Sequence, residues 1–348
     1  MERARKPAST RERELLAPVD LCTPEGLLSP AARGWSRRPL HRCNLSGRFG
    51  RKKKWDYWCV TSPQGAFQLT YADIDYLGLA SAAWIDFETK EILEKGAALP
   101  LAAGFFHPDT VGGGDLSFSG QGLELSIQRE PGGTLLRASF RKLGGASLHA
   151  EVHVSRPAGH ETLNVVIPWD ERRFQFTSKQ NTLPARGFVE AGGRRFEFSA
   201  KNESFACLDY GRGIWPYRTI WNWASASGVQ GGKAVGLQFG GKWTAGTGFT
   251  ENGLCVDGKL SKIGEELSFE YDAVDFKKPW KILAPQSRSV DLVFEPFFER
   301  SAKVPLLVAG AEVHVCFGRF SGVIVTSAGE EIAIRDLVGW AEEMRARW

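Results

Sequence analysis

The sequence contains little sulfur, with two methionines and six cysteines among 348 residues. No two cysteines form a Cys-x-x-Cys pair; they are Cys22, Cys43, Cys59, Cys207, Cys255 and Cys316. This spacing argues against a zinc cluster and against the disulfide framework of a small secreted domain, so reduced thiols are expected. His149 and His153 share one face of a predicted strand but would lie ~13 Å apart, too far to bind one ion directly. We therefore predict no metal site.

Long apolar runs and familiar catalytic signatures are also missing. No run approaches the ~18 apolar residues that a membrane-spanning helix requires, so no integral membrane segment is predicted. The charged start MERARKPASTRERELL lacks the apolar core of a secretory signal, and we expect a cytoplasmic protein. The motifs GxxxxGK[ST], GxSxG and HExxH do not occur, and no GxGxxG follows a strand. Nothing here indicates a phosphate loop, a hydrolase elbow or a dinucleotide site, and no cofactor is predicted.

The positive charge is modest and local. The net charge is +4, and basic residues concentrate at the N-terminus and in GRFGRKKKW. Without these two groups the chain is close to neutral, so no nucleic-acid partner is predicted. A solvated basic turn that leads into a strand is the favoured interpretation of GRKKKW.

Glycine and tryptophan are abundant, with 39 and 12 residues respectively. At an ordinary glycine usage of ~7%, about 24 glycines would be expected. Apolar segments of seven to eleven residues, such as WDYWCVTS and GAFQLTYADID, alternate with short turns from Trp55 onward. Hairpins are predicted around Ala191–Gly193 and at Asp257–Gly258. The sequence therefore predicts an all-β, mostly antiparallel fold.

The length predicts two halves, because hydrophobic cores stop growing near ~250–300 residues. We expect an irregular N-terminal arm over residues 1–50, docked through Trp35, a first half over 51–185 and a second half over 186–348. In the terminal segment DLVGWAEEMRARW, apolar residues recur at helical spacing, including Met344 and Trp348. This spacing predicts a C-terminal amphipathic helix with Asp336 as its N-cap.

The segment LDYGRGIWPYRTIWNWASASG, residues 208–228, gathers rings and charges in one place. As a strand, it would place five side chains on one face: Trp215, Tyr217, Thr219, Trp221 and Trp223. Rings that face a barrel lumen would line an apolar cavity. Rings that face outward would instead be buried under the arm or the other half. A short helix and plain core packing are further alternatives, since tryptophan is a common packing residue.

Charged residues flank these rings and suggest acid–base chemistry. Asp209, Arg212 and Arg218 lie in the same segment, and the next glycine-rich segment supplies Lys242 and Glu251. Burial beside rings would raise the pKa of a carboxyl group, which could then deliver a proton, whereas a nearby arginine would keep a carboxylate anionic. The alternative is that these groups form structural ion pairs at strand ends.

Several segments resemble the bacterial domain-of-unknown-function family 2804 (DUF2804). They include GRGIWPYRTIWNWA and WTAGTGFTEN, and the resemblance extends from about Glu12 to Trp348. More distantly, the two-barrel organisation is similar to double lipocalin-like proteins, a group that includes carotenoid hydratases and tocopherol cyclases. This resemblance implies two lipocalin-like β-barrel halves and the protonation or hydration of an apolar chain inside a barrel.

We therefore predict binding, with possible chemical transformation, of a lipid or isoprenoid-like molecule in an aromatic-lined barrel cavity. Asp209 and Glu251 are the candidate proton donors, and Arg212, Arg218 and Lys242 would hold a polar head. The other predicted ligand-binding residues are Trp215, Tyr217, Trp221, Asn222, Trp223, Trp243 and Asn252. The alternatives are a cofactor-independent hydratase, isomerase or cyclase, and a structural or interaction protein. The oligomeric state stays open.

Overall fold

A computed structural model describes residues 4–305 and 310–347, with 60% of the chain in strands and 2% helical. The predicted all-β fold with two lipocalin-like halves is confirmed: one sheet forms a nearly closed barrel and the other a half-barrel. Within the described ranges, no helix has both the length and the apolarity to cross a membrane.

The N-terminal arm spans both halves. Its elements are β1 (Val19–Asp20), a 3-10 turn (Pro30–Ala32), β2 (Trp35–Ser36) and β3 (His41–Arg42). Near its start, the Ser9 carbonyl accepts a hydrogen bond of 2.8 Å from the Gly264 amide in the second half. Farther along, β2 pairs with a strand of the first half, and Trp35 is buried as expected.

The first half is a thirteen-stranded sheet that includes β2. Its other strands are β4 (Lys52–Ser62), β5 (Gly65–Asp73), β6 (Leu77–Asp86), β7 (Ile92–Pro100), β8 (Leu116–Gly120), β9 (Leu123–Glu130), β10 (Gly133–Arg141), β11 (Ser147–Ser155), β12 (Leu163–Pro168), β13 (Phe174–Ala191), β14 (Arg194–Phe198) and β15 (Phe205–Ile214), with a 3-10 turn at Ala200–Asn202. The main path runs β7-β6-β5-β4-β15-β13-β11-β10-β9-β8. The Gln121 amide, between β8 and β9, donates to the Ala98 carbonyl on β7 at 2.9 Å, which bridges the two ends.

The second half is a nine-stranded antiparallel sheet with the order β19-β18-β17-β16-β24-β23-β22-β21-β20. Its strands are β16 (Arg218–Gln230), β17 (Lys233–Gly241), β18 (Asn252–Val256), β19 (Lys259–Ile263), β20 (Ser268–Glu270), β21 (Trp280–Leu283), β22 (Val290–Pro305), β23 (Gly310–Val325) and β24 (Glu331–Arg347). Both predicted hairpins are present, joining β13 to β14 and β18 to β19.

The chain leaves the first sheet after Ile214 and enters the second at Arg218. Pro216 lies between the two strands and has no backbone N–H to offer a ladder, which explains why the strand predicted over 215–223 begins later. The boundary expected after residue 185 falls inside β13, which pairs with β15 along most of its length. Residues 186–214 therefore lie in the first sheet.

The predicted C-terminal helix is wrong, because Glu331–Arg347 forms the central strand β24. Strands β16 and β23 flank it and pair with its backbone along both edges. Both of its faces are covered. Ala341 faces the core of the second half, and Trp340 faces the layer between the two halves. A strand with apolar residues on both faces also has apolar residues at helical spacings. The spacing alone therefore predicted a helix where the chain forms a strand. Trp348 lies outside the described residues.

Each half has its own filled core. Along β4, Trp58 and Val60 point into the first barrel and contact Phe67 and Leu69 of β5. Tyr57 and Cys59, at alternate positions, belong to the layer between the halves. Since side chains of a strand alternate between its faces, both sheets present a second, outer face to each other. The space between those faces contains the candidate site.

Candidate functional site

A cavity of about 350 Å³ lies between the two halves. Six rings line it: Trp55, Tyr57, Trp215, Trp221, Trp223 and Trp243. Trp55 and Tyr57 come from β4 of the first half, whereas Trp221 and Trp223 come from β16 of the second. The predicted rings thus face outward from each sheet toward the other half. The expected location inside a barrel is wrong, because the barrel interiors are filled by aliphatic and aromatic core residues.

The indoles at one end of the cavity form a connected wall. Trp215 stacks on Trp243 with ring centroids 5.5 Å apart and planes at 19°. Trp221 and Trp55 contact Trp215 from two other sides, at 5.7 Å and 5.8 Å. Trp215 Nε1 also donates to Gln175 Oε1 at 2.8 Å, which fixes the ring orientation. At Gly211, a Cβ atom would lie 2.2 Å from the Trp55 ring, so only glycine leaves room for this wall.

A buried lysine holds two carboxylates beside the rings. Lys179 Nζ lies 3.0 Å from Asp209 Oδ2 and 3.4 Å from Glu251 Oε2. Lys179 and Asp209 are direct cross-strand partners on β13 and β15. The Lys179 ammonium also lies 4.2 Å from the Trp223 ring centroid, a cation–π contact. Burial alone would lower the pKa of Lys179, but the two carboxylates outweigh burial and raise it to about 12.

Glu251 is buried at the end of the loop between β17 and β18. Its Oε1 accepts a hydrogen bond of 2.7 Å from Trp243 Nε1. A Cβ atom at Gly240 would lie 2.1 Å from the Glu251 carboxyl, so glycine is required for this close approach. Burial raises the pKa of Glu251 to about 7, although Lys179 opposes the shift. Protonated and ionised forms therefore coexist near neutral pH.

A third carboxyl group, that of Glu342 on β24, also borders the cavity. Its Oε1 accepts a hydrogen bond of 2.9 Å from Trp221 Nε1. Burial raises the pKa of Glu342 to about 7, with the hydrogen bond from Trp221 opposing the shift. Glu251 and Glu342 thus have the same local design: a carboxyl group with a pKa near 7 that accepts a hydrogen bond from a cavity-lining indole.

The N-terminal arm buttresses the loop that carries Glu251. Glu12 Oε1 accepts a hydrogen bond of 2.6 Å from Lys262 Nζ, and both side chains are buried. The same oxygen accepts a hydrogen bond of 3.1 Å from Thr250 Oγ1, next to Glu251 in the chain. Because a buried ion pair has a restricted geometry, these contacts fix the position of Thr250 and the start of β18.

Six of the twelve predicted site residues line the cavity: Asp209, Trp215, Trp221, Trp223, Trp243 and Glu251. Arg212 does not. It lies on the opposite face of β15 from Asp209, inside the first half, where its Nη2 donates to Asp56 Oδ1 at 2.6 Å. The positions differ because residues three apart on a strand point to opposite faces. The other contacts of Arg212 are with the Tyr210 ring and with the backbone carbonyls of Trp55 and Gly211.

The other five predicted residues also lie outside the cavity. Tyr217 and Arg218 are exposed and follow Pro216, which lies between the two sheets. Asn222 donates to Tyr271 Oη at 3.0 Å on the inner face of the second half. Lys242 forms an ion pair of 2.6 Å with Glu343 on the same face. Asn252 accepts a hydrogen bond from the Gly240 amide at 2.7 Å, which holds the base of the Glu251 loop.

Sequence reasoning missed Lys179, Glu342, Trp55 and Tyr57. The alternation in WDYW would have placed Trp55 and Tyr57 on one face, and Trp58 on the other. A strand interpretation of WAEEMRARW would likewise have placed Glu342 and Met344 together, as the cavity does. Lys179 gave no local signal, because its significance arises from pairing with a strand thirty residues later.

The arrangement can bind an apolar molecule against the rings and exchange a proton with it through Glu251 or Glu342. Among the residues that the structure describes, no group of three or more His, Cys, Asp and Glu side chains could hold a metal ion.

The model of the family described as "Domain of unknown function (DUF2804)" matches residues 12–348, so the chain belongs to this family. No curated protein sequence matches the chain.

Several solved structures are similar. An AttH-like protein from Nitrosomonas europaea has 12% identity and a TM-score of 0.47, with 94% of this chain and 98% of that chain covered. CghA with Sch210972 has 13% identity and a TM-score of 0.44, with coverage of 86% and 88%. Kievitone hydratase from Nectria haematococca has 10% identity and a TM-score of 0.44, with coverage of 86% and 89%.

Proposed function

We propose that this member of the DUF2804 family binds a small, largely apolar organic molecule between its two halves and exchanges a proton with it. The observation that supports the proposal is the co-location of six rings with Glu251 and Glu342 in one cavity. The lipid or isoprenoid-like ligand expected from the sequence stays a prediction.

Binding would follow from the shape and chemistry of the wall. A cavity of about 350 Å³ falls within the ~300–1,000 Å³ range of small-molecule sites. Aromatic rings supply large apolar contact areas, and the few polar groups fix the orientation of a ligand. Met344, Val313 and Val315 complete the apolar lining on the second half.

Proton exchange would follow from the pKa values of the two carboxyl groups. A general acid or base works best when its pKa lies near the operating pH, and both groups have a pKa of about 7. Lys179 neutralises Asp209 beside them and can stabilise Glu251 once it has lost its proton. Glu251 is the favoured group for proton exchange because it lies deeper than Glu342 and has a charged partner.

The binding proposal is tested by identifying the molecule that co-purifies with the protein. Ala302 lines the cavity at its edge, and an Ala302→Trp variant would fill space without removing a charge. Ser301, the preceding residue on β22, points to the opposite face, so Ser301→Trp is a matched control. Mass spectrometry of extracts should find one small molecule with the wild type and with Ser301→Trp, and lose it with Ala302→Trp. Equal recovery from all three proteins would contradict the proposal.

The proton-transfer proposal is tested with the molecule so identified. Glu251→Gln keeps an oxygen that can accept the hydrogen bond from Trp243, but it removes the ionisable carboxyl group. The variant should therefore retain ligand binding and lose ~10²–10⁴-fold in turnover. Asp209→Asn is the comparison, since it changes the partner of Lys179 and leaves both candidate acids in place. A ligand that stays chemically unchanged with the wild type over the full incubation would indicate a carrier and contradict the proton-transfer step.

A further inference from the structure

Negatively charged groups outnumber positively charged ones in the inner part of the cavity. Three carboxyl groups, Asp209, Glu251 and Glu342, face a single ammonium group, that of Lys179. Arg300, at the edge, forms its own ion pair with Glu94 and does not compensate for them. One ammonium group therefore serves both Asp209 and Glu251, and Glu342 forms no ion pair with any of the described residues.

The aromatic wall favours positive charge as well. Ring faces carry a negative electrostatic potential, and they attract ammonium groups most strongly when water is excluded. Lys179 already makes such a contact with Trp223. The remaining rings, including Trp221 and Trp243, lie beside the two carboxyl groups to which they donate hydrogen bonds. Clustered aromatic rings are a recurring recognition site for quaternary ammonium ligands.

The cavity is less suited to an anionic ligand than to a cationic one. The three residues expected to hold a polar head lie outside the cavity: Arg212 is paired with Asp56, Lys242 is paired with Glu343, and Arg218 is exposed. A carboxylate or phosphate placed among the rings would approach Glu251 and Glu342, and like charges at close range repel.

We propose that the ligand carries a positive charge, as an organic cation such as a quaternary ammonium or protonated amine, with its charged centre among the rings between Glu251 and Glu342. This inference rests on the proposed function, since it names the class of molecule that the same cavity binds. A bound cation favours the ionised form of both carboxyl groups, so binding near neutral pH releases protons. The titratable and charged groups that face the cavity are Tyr57, Lys179, Asp209, Glu251, Arg300 and Glu342.

The test compares three probes of one shape, using the full chain at pH 7. Calorimetric titration would measure binding of 3-hydroxyphenyltrimethylammonium, its neutral isostere 3-tert-butylphenol, and the anion 3-hydroxybenzenesulfonate. The cation should bind at least ~10-fold more tightly than the neutral isostere, and the sulfonate most weakly. Titrations in phosphate and in Tris, whose ionisation enthalpies differ, should show net proton release for the cation alone.

Variants localise the preference. Glu342→Gln keeps an acceptor for Trp221 and should reduce the preference for the cation by several-fold while 3-tert-butylphenol binds as before. Ala302→Trp should weaken all three probes, whereas Ser301→Trp should not.

Equal or tighter binding of 3-tert-butylphenol would overturn the charge assignment and leave the proposed function standing. Tightest binding of the sulfonate, or cation binding that Ala302→Trp does not alter, would overturn the charge assignment too. Failure of all three probes, together with the absence of a co-purified molecule, would overturn both proposals.

Discussion

Two buried clusters of charge lie on opposite faces of the same strand, β15. Arg212 points into the first half, where Asp56, the Trp55 carbonyl and the Gly211 carbonyl accept its hydrogen bonds. Asp209 points toward the second half, where Lys179 links it to Glu251. These three residues border the cavity between the halves. The comparison shows that similar residue types, three positions apart, can serve packing on one face and a candidate binding site on the other.

The two clusters differ in what surrounds them. The Arg212 guanidinium lies 3.6 Å from the Tyr210 ring centroid and is enclosed by protein groups. The Lys179 cluster has a ring wall on one side and open volume on the other. We therefore expect substitutions in the first cluster to act on stability, and those in the second to act on pH dependence and binding.

The largest effect is expected for Arg212→Met, which leaves the Asp56 carboxylate buried without its partner. Breaking a buried ion pair on one side lowers the free energy of unfolding by roughly 3–5 kcal/mol. Urea denaturation at pH 7 would measure this loss. Arg137→Met, at an exposed pair with Glu151, is the control and should change stability by less than about 1 kcal/mol. A loss below 1 kcal/mol for Arg212→Met would remove the distinction between the clusters.

Lys179→Met should be less destabilising and should depend on pH. Without the ammonium group, Glu251 can stay protonated at pH 5, whereas at pH 8 it must either ionise in a buried site without a cationic partner or stay protonated at a cost in free energy. We expect a loss of about 2–4 kcal/mol at pH 8 and about half of that at pH 5. Urea denaturation of the wild type and the variant at both pH values would measure these losses in the free energy of unfolding. A loss that is independent of pH would argue that Lys179 contributes packing alone.

Glu251→Gln should change the slope of stability against pH. The pKa of Glu251 is raised from 4.5 to about 7 in the folded protein, so the unfolded chain loses its proton first as the pH rises. The wild type therefore loses stability between about pH 4.5 and pH 7, and the variant lacks this contribution. The variant should gain about 2–3 kcal/mol relative to the wild type between pH 5 and pH 8. A constant difference across this range would contradict the raised pKa.

The smallest effect is expected for Trp221→Phe beside the cavity. Trp280 is the matched position, because it is fully buried in the second core and its Nε1 also donates a hydrogen bond, to the Phe276 carbonyl. Trp280→Phe should cost about 2–3 kcal/mol, whereas Trp221→Phe should cost less than about 1 kcal/mol, since its ring already borders open volume. Thermal unfolding of both variants would compare them. An equal, large loss would favour the interpretation of these rings as packing between the halves.

The strand rhythm and the hairpins were predictable because period-two alternation and Gly-containing turns are local signals. Trp221, Trp223 and Glu251 were likewise recognisable from the concentration of rings and charges. Lys179 was not, since its role depends on the register between β13 and β15. Glu342 was not recognised because apolar residues on both faces of β24 led to the prediction of a helix for this segment. The location between the halves could not be predicted, because either face of a β-strand can carry a row of rings.

The ligand is expected to bind between the two halves of the protein, against the rings of the cavity. A crystal structure of the protein saturated with 2-bromonaphthalene would locate the probe by the anomalous scattering of bromine. We predict a bromine peak between the halves, in contact with the rings of Trp223 and Trp243. A bromine peak inside either barrel core or on the outer surface alone, with the space between the halves closed by side chains, would contradict the account.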